Sequence, residues 1–287
     1  MIGVTAATGR LGRLVVQALL DRGARPGEVV ALARDPGKAA DLAAPGVQVQ
    51  HADYFEPESL RAAFRGLDRL LLISSGDLRD RVTQHRHAID AAREANVGLI
   101  AYTSILNAGT TAMLLAADHQ VTEQLIRDSG LPFAFLRNGW YTETYTDGLA
   151  GTLERGALAG AAGDGRFTPA ARRDYAEAAA AVLLAGGPAG TAFELGGDEA
   201  VTLPGLAAEM ARLSGRPVAY RNLAPGDFAA LLAAAGLPEG GAAVIADSDV
   251  ALGRGDLFTT SGDLRRLIGR PTTPVGETIR EALARLG

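Results

Sequence analysis

Short apolar segments alternate with amphipathic segments along the first half of the chain. The apolar segments are too short for helices and are rich in Val, Ile and Leu, which is typical of strands buried in a parallel sheet. The predicted strands are Ile2–Val4, Val29–Ala33, Val47–Gln50, Leu70–Ile73, Leu99–Thr103 and Phe133–Leu136. The predicted helices between them are Leu14–Asp21, Pro36–Leu42, Pro57–Phe64, Arg81–Ala95 and Leu114–Ser129. This order predicts an α/β fold, a doubly wound parallel sheet of the Rossmann type.

The alternation becomes irregular after Arg137. Glycine and proline breaks, such as the one at residues 186–188, separate the later elements. The elements predicted there are the helices Ala176–Leu184, Leu206–Ser214, Asp227–Ala235 and Thr278–Leu286 and the strands Ala192–Leu195 and Val218–Arg221. We therefore expect a Rossmann domain over residues 1–150 and a smaller α/β lobe over residues 151–287, partly interleaved with the first. A cleft between the two would hold the substrate.

A glycine-containing segment, VTAATGRLG at residues 4–12, joins the first predicted strand to the first helix. Small residues at such a turn let backbone amides approach a pyrophosphate, and the helix N-terminus favours the negative charge. The motif departs from the usual dinucleotide-binding pattern because Ala6 stands at the first glycine position. An ordinary strand–helix turn is the alternative. The predicted cofactor contacts are Ala6, Thr8, Gly9, Arg10, Leu11 and Gly12.

The end of the second strand carries Arg34 where a Rossmann domain specific for NAD has an acidic residue. A guanidinium there suits a 2′-phosphate and can stack on adenine, and Lys38 follows one turn later. This pattern favours NADPH over NADH, which would bind more weakly. A solvated loop arginine is the alternative for Arg34. We expect Asp35 to cap the helix that follows.

Two further strand ends supply candidate cofactor contacts. Asp53 follows the third strand and is predicted to reach the adenine amino group or, equally, to cap a turn. Ser74, Ser75 and Gly76 follow the fourth strand, next to the expected switch point of the sheet. Small hydroxyl residues suit a close approach to the ribose but also suit an ordinary turn.

Composition narrows the classes of function. The chain has 287 residues with a net charge of −5, which gives no electrostatic footprint for nucleic acid. It has no cysteine, which excludes disulfides, thiolate catalysis and cysteine-ligated metals. The spacing of His51, His85 and His87 does not resemble a metal site, so no metal is expected. No targeting segment is recognisable and no apolar run approaches the ~20 residues of a membrane span, so a cytoplasmic protein without membrane contact is expected.

The chain lacks the Tyr-x-x-x-Lys pair that short-chain dehydrogenases use to protonate the product of hydride transfer. Lys38 is its only lysine and has no tyrosine four residues before it. The fifth strand carries Tyr102. The next helix carries His119 and Glu123, an i,i+4 pair that is either part of the site or an ordinary solvated pair on the helix surface. Reduction of an unactivated ketone needs a proton donor, whereas a quinone yields a delocalised phenolate that water can protonate later. The absent pair therefore points to quinones or similar electron-poor acceptors, or to no catalysis.

Several motifs together resemble the NmrA-like atypical short-chain dehydrogenase/reductases, and the resemblance covers nearly the whole chain. These motifs are TAATGRLG at residues 5–12, LLLISS at 70–75, IAYTS at 100–104, His119 with Glu123, LRNGWY at 136–141, AAGDG at 161–165, ADSDV at 246–250 and LIGRPTT at 267–273. The resemblance implies an NADPH-binding Rossmann domain and a small C-terminal substrate lobe. It also implies that Gly9 to Gly12 hold the pyrophosphate, Arg34 the 2′-phosphate and Ser74 to Gly76 the ribose.

The same resemblance places a segment after the sixth strand over the nicotinamide, namely Asn138, Gly139, Trp140, Tyr141 and Glu143. An amide and two aromatic side chains in this position also suit contacts to flat rings, although a packed corner built on Trp140 is the alternative. Tyr102, His119 and Asn138 are the candidate catalytic residues.

The leading hypothesis is an oxidoreductase that transfers hydride from NADPH to a small quinone-like acceptor. A non-enzymatic redox sensor that binds a dinucleotide is the alternative, because the family includes regulators. A reductase or epimerase acting on another small molecule is a third reading. A homodimer is a further expectation.

Overall fold

Seven parallel strands form the main sheet, in the order β3-β2-β1-β4-β5-β6-β8. The structure is a computed structural model that describes residues 1–77, 80–187 and 189–287. The strands of this sheet are β1 (Ile2–Val4), β2 (Val29–Ala33), β3 (Gln48–His51), β4 (Arg69–Leu72), β5 (Leu99–Ile105), β6 (Phe133–Asn138) and β8 (Thr191–Leu195). Two more strands, β7 (Ala157–Gly160) and β9 (Ala219–Asn222), form a small parallel sheet of their own.

Helices cover both faces of the main sheet. In chain order they are α1 (Arg10–Asp21), α2 (Ala40–Ala43), α3 (Pro57–Ala63), α4 (Arg81–Glu94), α5 (Leu114–Asp128), α6 (Glu143–Thr146), α7 (Leu149–Arg155), α8 (Arg172–Ala185), α9 (Leu203–Ser214), α10 (Pro225–Ala234), α11 (Glu239–Arg254), α12 (Asp263–Ile268) and α13 (Val275–Ala284). Helices α1, α8 and α12 pack on one face, and α3, α4 and α5 pack on the other. This is the doubly wound α/β fold that the sequence predicts.

The core of this domain follows the two-residue period of its strands. On β2, Val30 and Leu32 face the cluster under α3 and α4, whereas Val29 and Ala31 face the cluster under α1. Successive side chains on a strand point to opposite faces, and both faces here are covered. This explains why the predicted strands are continuous apolar runs.

The later part of the chain builds a smaller lobe and also returns to the main sheet. Helices α7, α9, α11 and α13 enclose a second apolar cluster with β7. Between these elements, α8 packs against α1, and β8 pairs with β6 from Ala134↔Thr191 to Asn138↔Leu195. Residues beyond 150 therefore contribute the edge strand of the Rossmann sheet.

Several stretches differ from the predicted elements, and the sequence predicted none of α6, α7, β7 and α12. The predicted helix Pro36–Leu42 is a 3-10 turn over Pro36–Ala39 followed by the short α2. The long helix α11 was not predicted, because Gly240 and Gly241 stand in its first turn and its many alanines give no clear apolar stripe. The predicted break at 186–188 includes residue 188, which lies outside the described residues. No helix in the described ranges combines the length and apolar character needed to cross a bilayer.

Candidate functional site

The candidate site lies beside β1, the central strand from which the connections to its two neighbours run in opposite directions. Strand β1 pairs with both β2 and β4, so the connections on either side of it run over opposite faces and open a crevice at the carboxyl ends of the strands. A cavity of about 390 Å³ occupies this crevice. Ten residues predicted as site residues line it, namely Arg10, Leu11, Ser74, Ser75, Gly76, His119, Asn138, Gly139, Trp140 and Tyr141.

The glycine loop has the tight geometry that a pyrophosphate site requires. Gly9 is the N-cap of α1, and its amide donates to the carbonyl of Ala6 over 2.9 Å. A Cβ on Gly12 would lie 2.4 Å from the Ala6 oxygen and 2.7 Å from Ala7 Cα, so only glycine fits there. Ala6 itself has φ +48°, a left-handed conformation that glycine adopts more readily. The alanine is therefore accommodated, at a cost in backbone strain.

The loop after β4 is held by buried side chains from three different elements. The successive amides of residues 73–75 donate to Thr5 Oγ1, Thr103 Oγ1 and His85 Nε2, over 2.8, 2.8 and 2.9 Å. The three acceptor side chains are buried, so the hydrogen bonds that they accept are largely shielded from solvent. The loop that lines the cavity is thus rigidly supported from below.

His85 can hold this loop only as a neutral imidazole. Its Nε2 accepts from the Ser75 amide, and its Nδ1 lies 2.9 Å from Thr122 Oγ1, whose own hydroxyl donates to the Asp118 carbonyl. The proton therefore sits on Nδ1 and is donated to Thr122. Burial lowers the pKa of His85 to about 3, with a contribution from the nearby charge of Arg81.

Tyr102 and His119 form a hydrogen-bonded pair at the edge of the cavity. Tyr102 Oη lies 2.8 Å from His119 Nδ1, and Tyr102 is wholly buried while His119 lines the cavity. Burial raises the pKa of Tyr102, so its hydroxyl stays protonated and donates to Nδ1. Burial also lowers the pKa of His119 to about 3, so the imidazole is neutral and carries its proton on Nε2. Among the described residues, Nε2 has no hydrogen-bond partner, and it is available to a ligand.

Glu123 does not pair with His119, so the solvated i,i+4 pair considered from the sequence is wrong. Its buried carboxylate accepts from Arg137 Nε and Nη2, over 2.9 and 2.8 Å, and from Ser104 Oγ over 2.7 Å. Burial alone would raise the pKa of Glu123, but the hydrogen bonds from Arg137 and Ser104 bring it below its ordinary value. Glu123 therefore ties α5 to the ends of β5 and β6 instead of serving the imidazole.

Asn138 presents an unused acceptor beside the cavity. Its Nδ2 lies 3.4 Å from Tyr141 Oη, and its buried Oδ1 has no hydrogen-bond partner within the described parts of the chain. A buried acceptor without a donor costs free energy, and a ligand amide would satisfy it. Trp140 packs against the apolar cluster of the smaller lobe, as the alternative of a packed corner expects, and it also lines the cavity.

Other predicted residues lie away from the cavity. Arg34 is exposed at the end of β2, and Lys38 Nζ lies 3.7 Å from Asp35 Oδ2. Asp35 caps the following turn as predicted, by accepting from the Gly37 amide. Arg34 stands on the same sheet edge as the glycine loop, which is compatible with an extended dinucleotide.

Two acidic residues that were predicted to contact the cofactor instead accept hydrogen bonds from backbone amides of the protein. Asp53 Oδ1 accepts from the Phe55 amide over 3.0 Å, as its alternative reading as a turn residue expects. Both oxygens of Glu143 accept from the Arg172 amide, over 2.9 and 3.0 Å, and so cap the start of α8. Neither residue lines the cavity.

Sequence reasoning missed Arg81, which lines the cavity from the first turn of α4. One signal was available, since a basic residue at a helix N-terminus is unfavourable for the helix dipole and calls for another reason to be there. Arg172, which places its guanidinium 5.1 Å over the Tyr141 ring, was missed as well. It follows the AAGDG motif by several residues and carries no local signal.

The fold and the site agree with comparisons to known proteins. The NAD(P)H-binding family model matches residues 6–185. Quinone oxidoreductase 2 of Escherichia coli is 47% identical over 279 residues, which is 97% of this chain and 97% of that protein. The crystal structure of the E. coli NADPH-dependent quinone oxidoreductase complexed with NADPH has a TM-score of 0.95 at 46% identity, covering 99% of this chain and 100% of that one.

Two further structures extend the comparison. Triphenylmethane reductase of Citrobacter sp., complexed with NADP(H), has a TM-score of 0.92 at 37% identity and covers 98% of this chain and 100% of that chain. The negative transcriptional regulator NmrA in complex with NAD has a TM-score of 0.80 at 18% identity, covering 99% of this chain and 95% of that chain, a likeness of fold alone. The chain belongs to the NAD(P)H-binding family, and the resemblance to NmrA-like proteins drawn from its motifs is confirmed.

Proposed function

We propose that this protein is an NADPH-dependent oxidoreductase that transfers hydride to a quinone or a similarly electron-poor acceptor. The observation that carries the proposal is the neutral, hydrogen-bonded His119 in a cavity that has no tyrosine–lysine acid pair. The 47% identity to a quinone oxidoreductase over nearly the full length of both chains supports the same reaction. Relatives named for azo-compound and triphenylmethane reduction support the broader class of electron-poor acceptors.

The residues of the crevice fit the dinucleotide. The Gly9-to-Gly12 turn and the N-terminus of α1 would hold the pyrophosphate, and Arg34 would bind the 2′-phosphate. The Ser74-to-Gly76 loop would line the ribose. The orphaned Asn138 Oδ1 would accept from the nicotinamide carboxamide. NADPH supplies a hydride when bound, and we expect NADH to be a weaker donor.

His119 would act as a neutral hydrogen-bond donor to the acceptor. His119 lines the cavity, and its proton is on Nε2 because Tyr102 donates to Nδ1. A neutral imidazole is a poor proton donor, so it suits an acceptor whose reduced form is a stable, delocalised phenolate. The product anion can leave the site and take its proton from water. The site can therefore work without a strong acid, because His119 donates only a hydrogen bond and water supplies the proton.

Oxidation of NADPH tests the proposal directly. We would follow its absorbance with 1,2-naphthoquinone as acceptor and subtract the uncatalysed rate. Saturable turnover that is faster with NADPH than with NADH is the expected result. Tight NADPH binding in a parallel titration without turnover of any acceptor would overturn the enzyme and favour the NmrA-like sensor.

Assembly and location are further expectations from the sequence. We expect a homodimer in the cytoplasm, which light scattering coupled to size-exclusion chromatography and cell fractionation would test.

A further inference from the structure

The cavity wall carries positive charge and no described negative charge. Among the described residues, its lining includes three arginines, Arg10, Arg81 and Arg172, and no Asp or Glu. Arg10 and Arg172 both pair with Asp147 outside the lining, with 3.6 Å between Arg172 Nη2 and Asp147 Oδ2. These two arginines flank the side where the glycine loop would hold the pyrophosphate. Arg81 stands apart from them, at the loop after β4.

Arg81 is buried in a way that ordinary surface arginines are not. Its side chain is only 6% exposed, and its Nε donates to the Ser75 carbonyl over 2.8 Å. Its Nη1 is buried without a hydrogen bond in the described ranges, and it forms a long ion pair with Asp118 Oδ2 at 3.8 Å. The charge of Asp77 also attracts it. A buried guanidinium with an unsatisfied N–H is costly, and its retention calls for a role.

Arg81 is electrostatically close to the candidate catalytic residues Tyr102 and His119. Its charge contributes to the lowered pKa of both His119 and His85, and it also acts on Tyr102. In a cavity shielded from water, such a charge acts on a ligand far more strongly than it would in bulk solvent. An acceptor lying against His119 would therefore lie within the field of Arg81.

We propose that Arg81 is a specificity-determining residue of the acceptor subsite, and that it favours acceptors that carry or gain negative charge. This inference rests on the proposed function. Hydride transfer breaks a C–H bond of the dihydronicotinamide and forms a new bond between that hydrogen and the acceptor. The acceptor is reduced and gains one negative charge, the cofactor is oxidised to NADP⁺, and water later supplies the proton. The fixed positive charge of Arg81 stabilises the charge that the acceptor gains.

The same charge acts on acceptors that are ionic from the start. An anionic acceptor is attracted into the cavity, whereas a cationic one is repelled by Arg81, since Asp118 and Asp77, which attract Arg81, lie outside the described lining. Varying the charge of the acceptor therefore distinguishes the effect of Arg81 from the effects of the other site residues.

The experiment compares three acceptors with NADPH saturating. They are 1,2-naphthoquinone-4-sulfonate, which is an anion, neutral 1,2-naphthoquinone, and crystal violet, a cationic triphenylmethane dye. For Arg81→Gln we expect kcat/KM to fall about tenfold more for the sulfonate than for the neutral quinone, and to fall least or to rise for the dye. Because each acceptor is compared with itself across variants, differences in intrinsic reactivity cancel.

Two matched variants separate charge from loop support. Arg81→Lys keeps the charge and should keep most of the preference for the sulfonate. Ser75→Ala removes the hydroxyl that donates to Gln84 Oε1 over 2.6 Å, so it loosens the same loop without changing charge. Its losses should be equal for all three acceptors. Circular dichroism would confirm that each variant is folded.

The outcomes are distinguishable. Equal losses for all acceptors in Arg81→Gln, or loss of the preference in Arg81→Lys, would show that Arg81 only supports the loop and would overturn the inference. Absence of turnover by the unmodified protein with every acceptor would instead remove the proposed function itself.

Discussion

Tyr102 Oη and His119 Nδ1 lie 2.8 Å apart, and this hydrogen bond decides which nitrogen of His119 carries the proton. The tyrosine is wholly buried and does not line the cavity, so it cannot touch an acceptor. Tyr102 lies in the middle of β5. We propose that it is a positioning residue that acts through His119, the group that would contact the acceptor.

Removing the Tyr102 hydroxyl should therefore slow turnover without weakening cofactor binding. For Tyr102→Phe we expect kcat to fall about tenfold, since loss of one directing hydrogen bond is worth on the order of 1.4 kcal/mol. The KM for NADPH should stay near that of the unmodified enzyme. In a His119→Ala background, the same change should have little further effect. Additive losses in this double-mutant cycle would contradict the positioning role.

Cofactor preference should depend on Arg34. Arg34→Glu should raise the KM for NADPH by about a hundredfold and change that for NADH far less, because only NADPH carries the 2′-phosphate that a carboxylate repels. Arg65→Glu is a control, since it makes the same charge change at an exposed position at the end of α3. Equal losses for both cofactors in Arg34→Glu would refute the phosphate contact.

Restoring glycine at position 6 should stabilise the protein. Ala6 has φ +48°, where a residue with a Cβ is disfavoured by about 1–2 kcal/mol. Part of this stabilisation is offset because glycine makes the unfolded chain more flexible. Ala6→Gly should therefore raise the free energy of unfolding by up to about 1 kcal/mol. Urea denaturation would measure it. Ala7→Gly, at a buried neighbour without positive φ, should lower stability, and a matching rise there would contradict the argument.

The smaller lobe contains a carboxyl group whose charge opposes folding. Asp249 is buried, its Oδ2 accepts from the Ala161 amide over 2.7 Å, and burial raises its pKa from 3.8 to about 6. Its folded form therefore binds a proton that the unfolded form has already released between about pH 4 and 6. Stability falls as the pH rises through this window, by up to about 3 kcal/mol, and stays lower above it.

Asp249→Asn should accordingly raise the melting temperature at pH 8 and have little effect at pH 4. Asp164→Asn, at an exposed position of the same lobe, should change it little at either pH. Thermal unfolding at the two pH values measures both variants. A gain for Asp249→Asn that is the same at pH 4 and pH 8 would show that ionisation is not its cause.

The sheet could be predicted from the sequence because each of its strands is buried on both faces. Continuous apolar runs such as Val29–Ala33 leave no other reading when helical segments separate them. Helix α11 escaped prediction because its packing, rather than its pattern, makes it helical. Likewise Glu143 was assigned to the cofactor, although its carboxylate caps the start of α8.

The candidate site residues could be predicted from the sequence where they lie at the ends of strands. The first turn of α1, the loops after β4 and β6 and the helix after β5 all supply residues to the cavity, as parallel strands with a switch point require. The partners of those residues were not predictable. Glu123 meets Arg137 only because β5 and β6 pair with Ser104 beside Arg137, a register that no local pattern encodes. Arg81 is buried by the same kind of distant contact.

Because β8 returns to the main sheet, the first half of the chain cannot complete this sheet on its own. Because β8 covers β6, a fragment ending at residue 150 would expose the whole hydrogen-bonding edge of that strand, and the missing α8 would uncover the apolar face of α1. Bare strand edges of this kind recruit other chains, so such a fragment should aggregate rather than fold as an independent dinucleotide module. Unfolding of β8 or α8 should accordingly disrupt the main sheet as well, so neither can be lost while the sheet survives.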